Sequence, residues 1–107
     1  MQSSIADADI HPEALRELAE AVVWYEDQYP GRGQRFYDAI TKEFARIRVA
    51  PSSFPRWRRR LPARSTVVPR FPYTIFFVTE PKVVIMDVAH DKRRPGYWIR
   101  RLTRGLA

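Results

Sequence analysis

The sequence contains no cysteine. That single absence excludes disulfide staples, thiolate zinc sites and a cysteine nucleophile. There are two histidines, His11 and His90, far apart along the chain and too few for most histidine-based metal sites, so no metal and no cofactor is expected. Glycine is scarce, four residues in 107, and none belongs to a phosphate-cradling loop or a nucleophile elbow. No apolar run approaches the ~20 residues of a membrane span. The N-terminus lacks a basic-then-apolar signal. These absences predict a soluble, cytoplasmic chain with no membrane partner.

What is present is a globular composition, 45% hydrophobic and 29% charged, enough for one domain over residues 1–107. The net charge of +7 is unevenly placed. Residues 1–50 hold 6 Lys/Arg against 9 Asp/Glu, a net of −3, whereas residues 51–107 hold 13 against 3, a net of +10. Such a cationic half favours nucleic acid, ribosome or an acidic protein partner.

Residues 3–10 alternate weakly and read as a first edge strand. His11-Pro12-Glu13 reads as a helix start, with proline at the first helical position and acids near the positive end of the dipole. Leu15, Leu18, Val22, Tyr25 and Tyr29 follow at helical spacing, and Pro30-Gly31 ends the run. A second helix from Gly33 to Val49 carries Phe36, Ile40, Phe44 and Ile47 on one stripe, so the two form a helical hairpin. Arg64 to Pro69 reads as a strand confined by Pro69 and Pro72 to an edge or bulge. Tyr73 to Thr79 and Val83 to Ala89 read as a hairpin about Glu80-Pro81-Lys82, and Gly96 to Arg104 as a short arginine-rich helix. The expected fold is α+β, an N-terminal helical hairpin packed on one face of a small antiparallel sheet, with a short C-terminal helix. Its core is expected to join Leu15, Leu18, Val22, Ile40, Phe44 and Ile47 to Ile75, Phe77, Val83 and Ile85.

No enzyme motif is complete. Glu13, Glu17 and Glu20 read as a solvated helix face, and Asp87 as the partner of a neighbouring arginine. The candidates for function are cationic. Arg56, Arg58, Arg59, Arg60, Arg64 and Arg70 precede the central strand, and Lys92, Arg93, Arg94, Arg100, Arg101 and Arg104 follow the last one. Trp57, Tyr97 and Trp98 are interleaved among them. Arginine grips phosphate or carboxylate with two parallel bonds, and an aromatic ring offers a stacking face. Trp57 and Trp98 serve equally well, on this reading, as caps of the core. His90, flanked by arginines, either acts as an acid or base on RNA or holds its loop by hydrogen bonds.

Several short motifs recur in a recognisable order. Trp24-Tyr25-Glu26 lies late in the first helix and Phe36 opens the second; Pro51 with Phe54-Pro55, Arg70-Phe71-Pro72-Tyr73, and Ala89-His90 with Arg93, Pro95, Tyr97 and Trp98 follow. In order and spacing this resembles the RelE/ParE superfamily of type II toxin–antitoxin toxins, over about residues 12–101. The resemblance implies a compact toxin of two helices on an antiparallel sheet, neutralised by a cognate antitoxin whose acidic, apolar C-terminal segment wraps it. It implies one of two activities, DNA gyrase inhibition in ParE-like members or ribosome-dependent mRNA cleavage in RelE-like members. The cleavage reading uses Arg70, His90, Arg93 and Tyr97. Thr74 stands where that reading expects an arginine, and Thr66 and Val68 where it expects lysines, which favours the ParE-like side. A non-toxic interaction module is a third reading. Target or antitoxin binding is expected at Arg58, Arg59, Arg60, Arg64, Arg70, Arg93, Arg94, Trp98, Arg100 and Arg101.

Overall fold

The computed structural model describes residues 9–58, 61–94 and 96–104. In chain order the elements are β1 (Asp9–Ile10), α1 (Pro12–Gln28), α2 (Arg32–Val49), a 3-10 turn (Pro51–Ser53), β2 (Ala63–Val67), β3 (Tyr73–Val78), β4 (Val84–His90) and α3 (Arg101–Arg104). The strands form one sheet in the order β1-β4-β3-β2. It is antiparallel through β2, β3 and β4, and β1 joins β4 in parallel. The α+β architecture is as expected. Of the expected first strand only Asp9 and Ile10 lie within the described residues.

Helix α1 starts where proline and a capping side chain coincide. Neutral His11 accepts a hydrogen bond at Nδ1 from the Glu13 N–H at 3.1 Å, and its own N–H donates to the Ile85 carbonyl at 2.8 Å. The cap residue therefore also ties the helix to the sheet. The hairpin between the helices closes through Glu26. Its carboxylate accepts from the N–H groups of Gly31 at 2.9 Å and Gly33 at 3.1 Å, so the end of α1 caps the start of α2. At Gly33 a Cβ would lie 2.6 Å from the Val22 carbonyl oxygen, so only glycine permits this helix approach.

The α2 stripe behaves as its spacing predicts. Phe36, Ile40, Phe44 and Ile47 are fully buried against Ile75, Phe77 and Ile85. The α1 face is rotated from expectation. Ala14, Leu18, Ala21 and Tyr25 face the core, Leu15 is 42% exposed, and Tyr29 is exposed. Val22 and Val83 pack at the rim of the core rather than inside it. The inner face thus alternates small Ala14 and Ala21 with large Leu18 and Tyr25, and the space is filled without Leu15.

The other face of the sheet is also covered. Ala63, Phe76, Val78, Val84, Met86, Ala89 and Trp98 form a second apolar cluster, with Trp57, Leu61, Tyr97 and Leu102 packed on it. The helical hairpin occupies one face as expected, and residues 96–102 with the Trp57 loop add a third layer on the other. Register shifts between Phe76 and Phe77, where Asp87 and Ile85 are the successive partners, leaving Met86 as an extra residue in β4. This bulge turns Asp87 toward α1 while Ile85 and Val88 both join the helix-side core.

Candidate functional site

The sheet end where β3 begins and β4 finishes carries a small pocket of about 160 Å³. Trp57, Phe76 and Tyr97 wall it, and Thr74, His90 and Arg93 stand around it. The Arg93 guanidinium lies 3.8 Å from the Tyr97 ring centroid, and that of Arg58 lies 4.1 Å from the Trp57 ring. These stacked cations form the exposed part of the face, together with Arg94, which also lines the pocket.

Several expected members are placed elsewhere. Trp98 is 0% exposed, with ring contacts to Trp57 and Phe76, so it is core rather than a docking surface. Arg101 is 4% exposed and held by carboxylates. Arg64 is half-buried and donates to the Phe54 carbonyl at 2.6 Å, fastening the loop that precedes β2. Arg100 is exposed and is not part of the pocket lining. Arg59 and Arg60 lie outside the described residues. Arg70 sits in the β2–β3 turn and lines a groove against α2, on a lining that shares no residue with the Trp57 pocket.

The groups for acid–base chemistry are engaged. His90 accepts at Nδ1 from the Lys92 N–H at 3.0 Å, which holds its loop. The Thr74 hydroxyl donates to Asp91 at 2.9 Å, so a carboxylate stands on the rim where mRNA cleavage calls for a phosphate-binding cation. Tyr97 lies 2.7 Å from Glu17 and 2.6 Å from Asp87. Burial and these two carboxyls push its hydroxyl far above the usual phenol range, so it keeps its proton.

Behind the pocket, β4 has lost its outer neighbour, because β1 reaches only Val84 and Ile85. Side chains take the place of a strand there. The Val88 N–H donates to Glu17 at 3.4 Å, and Arg101 donates to the Met86 carbonyl at 3.0 Å. Arg101 also donates to Asp87 at 3.1 Å, to Glu17 at 3.0 Å and to Glu13 at 3.4 Å. The expected arginine partner of Asp87 is therefore Arg101. Glu17, read from sequence as part of a solvated face, is instead the hub of the cluster, and Glu13 stands at its rim.

One phenol proton cannot serve two acceptors, so the paired short contacts of Tyr97 require a proton on a carboxyl. Asp87, fully buried, holds it: burial and the adjacent Glu17 push its acid up to about 8. Burial works against the Glu17 charge too, but hydrogen bonds from Arg101, Asp87 and Tyr97 outweigh it and hold Glu17 below the usual carboxylate range. The cluster is then an Arg101–Glu17 ion pair with a neutral acid beside it, which avoids burying surplus negative charge.

This is a small helix-hairpin-on-sheet chain with a cationic aromatic face among the described residues. A family model described as the ParE toxin of type II toxin-antitoxin system, parDE, matches residues 8–95. The chain belongs to the ParE toxin family. No match is found among individually curated proteins. The ParE match spans the helical hairpin and all strands and ends before Tyr97, Trp98 and Arg101. Membership makes the chain a toxin of a type II system and implies a cognate antitoxin. Among the described residues, no helix is long and apolar enough to cross a membrane.

Proposed function

We propose that this toxin acts in the cytoplasm by binding DNA gyrase rather than by cutting mRNA. A cognate antitoxin with an acidic, apolar C-terminal segment neutralises it. The observation that supports the reading is the dispersal of the cleavage candidates. Cleavage at a 2′-hydroxyl needs a base, an acid and cations around one phosphate. Arg70 lines the α2 groove, away from His90 and Arg93 in the Trp57 pocket, and Tyr97, whose ring walls that pocket, has its hydroxyl locked between Glu17 and Asp87. Docking on a protein–DNA complex requires only the stacked arginines and their aromatic supports.

Two assays test the choice. Purified gyrase with plasmid DNA is expected to accumulate cleavage complexes when the toxin is added, less so with Arg93→Ala. Primer extension on mRNA from expressing cells is expected to show no new ends. Ribosome-dependent cuts that vanish in Arg93→Ala, with gyrase unaffected, would establish the endoribonuclease reading instead. If neither assay responds while an acidic partner chain still binds, the protein is an interaction module.

A further inference from the structure

The running charge along the chain conceals a second cationic surface. Helix α1 carries five acidic side chains and one arginine, whereas α2 carries five basic side chains and two acidic ones. The two helices nearly cancel in sequence but separate in space. On α2, Arg46 pairs with Glu43. Arg32, Arg35 and Lys42 make no ion pair among the described residues, and neither does Arg70 across from them. These four cations line one open groove of about 660 Å³ between α2 and the β2–β3 turn.

Two features of the groove bear on what it holds. Arg70 is the third residue of the turn Val68–Phe71, at φ 69°, a position that favours glycine. The turn thus places a guanidinium at the lip where a glycine suits the backbone better. Second, none of the exposed large apolar side chains lines the groove. Phe71 at its floor is already covered by the Arg32 guanidinium, 5.3 Å from the ring. Two acids are present, and both are engaged: Asp38 accepts from the Gln34 amide at 2.8 Å, and buried Glu43 accepts from Arg46 and Thr66.

An acidic peptide is held in register by large apolar anchors between its charges; the apolar lining here is limited to Ala39, Pro69 and a Phe71 already covered by Arg32. A phosphodiester backbone asks for guanidinium forks and point charges at intervals. Arg32 to Lys42 spans ten residues of helix, about 15 Å. That is the axial length of about four phosphates on one strand of B-form DNA. We propose that the α2 groove grips the phosphodiester backbone of duplex DNA, on a lining distinct from the Trp57 pocket. The contact belongs to the toxin itself and stands whether or not gyrase is its target.

The test is fluorescence anisotropy of a labelled 20-base-pair duplex of arbitrary sequence, titrated with the full chain from low to moderate salt. Binding is expected to weaken with a log–log salt slope of about −3, the value for three to four neutralised phosphates. The variant Arg35→Ala/Lys42→Ala/Arg70→Gly is expected to lose at least about tenfold in affinity at low salt and to flatten that slope. Alanine suits the exposed helix positions and glycine the turn, so the variant keeps its fold, which an unchanged thermal melt verifies. Unchanged binding by this variant overturns the proposal. So does a larger loss in Arg93→Ala/Arg94→Ala than in the groove variant. Polyglutamate that displaces the duplex at equal charge concentration would make the groove an acidic-chain site and overturn it as well. None of these readouts involves gyrase, so their failure leaves the proposed target untouched.

Discussion

The two faces of the sheet are stabilised by different physics. On the helix side, Phe36, Ile40, Phe44 and Ile47 meet Ile75, Phe77 and Ile85 with no polar side chain among them. On the opposite face the cover is a short irregular strap. Trp98 packs on Phe76 and Met86, and the strap is fixed at the bare edge of β4 by Arg101, Tyr97, Glu17 and Asp87. The first face holds no paired acid and cation; its ionisable groups are the phenols of Tyr25 and Tyr73, which burial pushes above the usual phenol range, so they stay neutral up to strongly alkaline pH. The second depends on one proton being held at Asp87 and one charge being held at Arg101. A strap with little backbone pairing of its own is positioned by directional bonds, whereas two long helices are positioned by shape and area.

The largest expected effect breaks the apolar face. Phe44→Ala leaves a cavity among fully buried neighbours and is expected to cost about 3–5 kcal/mol. In a domain of this size that is much of the total stability. Chemical denaturation measures it, and an unchanged midpoint would mean that the α2 stripe does not face the sheet.

The next breaks the ionic edge. Arg101→Met leaves Glu17 and Asp87 buried without their cation and is expected to cost about 3 kcal/mol. Asp87→Asn sharpens the comparison through pH. The folded acid titrates at about 8, far above the value of about 3.9 for an unfolded chain. Between those values the folded state keeps a proton that the unfolded state has lost, so stability falls as pH rises through that window and levels off above it. Asp87→Asn is expected to remove this decline while preserving the hydrogen bonds of a neutral acid. Denaturation midpoints at pH 5, 7 and 9 read it; an identical slope in wild type and variant contradicts the protonated Asp87.

A smaller effect lies at the α1 cap. Burial, and then Arg101, hold His11 below its ordinary value of 6.5. The unfolded chain is protonated first, so stability falls as pH drops through 6.5 and stops falling once folded His11 is charged. His11→Asn keeps a capping oxygen that does not titrate and is expected to flatten this step, worth on the order of 1 kcal/mol or less. The smallest effect tests the helix rotation. Leu15→Ser is expected to change stability by less than about 0.5 kcal/mol, because Leu15 faces outward. A loss comparable with Phe44→Ala would return Leu15 to the core.

Element type was legible almost throughout, and for identifiable reasons. The α2 stripe is built of large side chains at strict helical spacing, and β3 and β4 are rich in β-branched and aromatic residues bounded by proline. The α1 face was not legible, because its buried positions include Ala14 and Ala21, which carry little hydrophobic signal. Of the cationic candidates, Arg93, Arg94 and Arg58 were placed together as expected. Trp98 and Arg101 were not, since a tryptophan and an arginine in a basic segment look alike whether they face water or the core. Glu17 and Arg101 bond across 84 positions of chain, a separation that no local spacing expresses. The α2 cations were obscured by simple addition, because the acids of α1 offset them in the N-terminal half.

By itself the sequence determined which segments are helix and which are strand, the lack of thiol chemistry, and the resemblance to the toxin superfamily. Each of these rests on residue type and short-range spacing, which a chain carries whatever its fold. Tertiary structure alone decided which arginines meet solvent and which are spent on carboxylates. It also decided that Asp87 keeps a proton, and that Arg70 stands with α2 rather than with His90. Burial, ionisation and convergence are properties of distance between groups remote in sequence, and only the folded chain sets those distances.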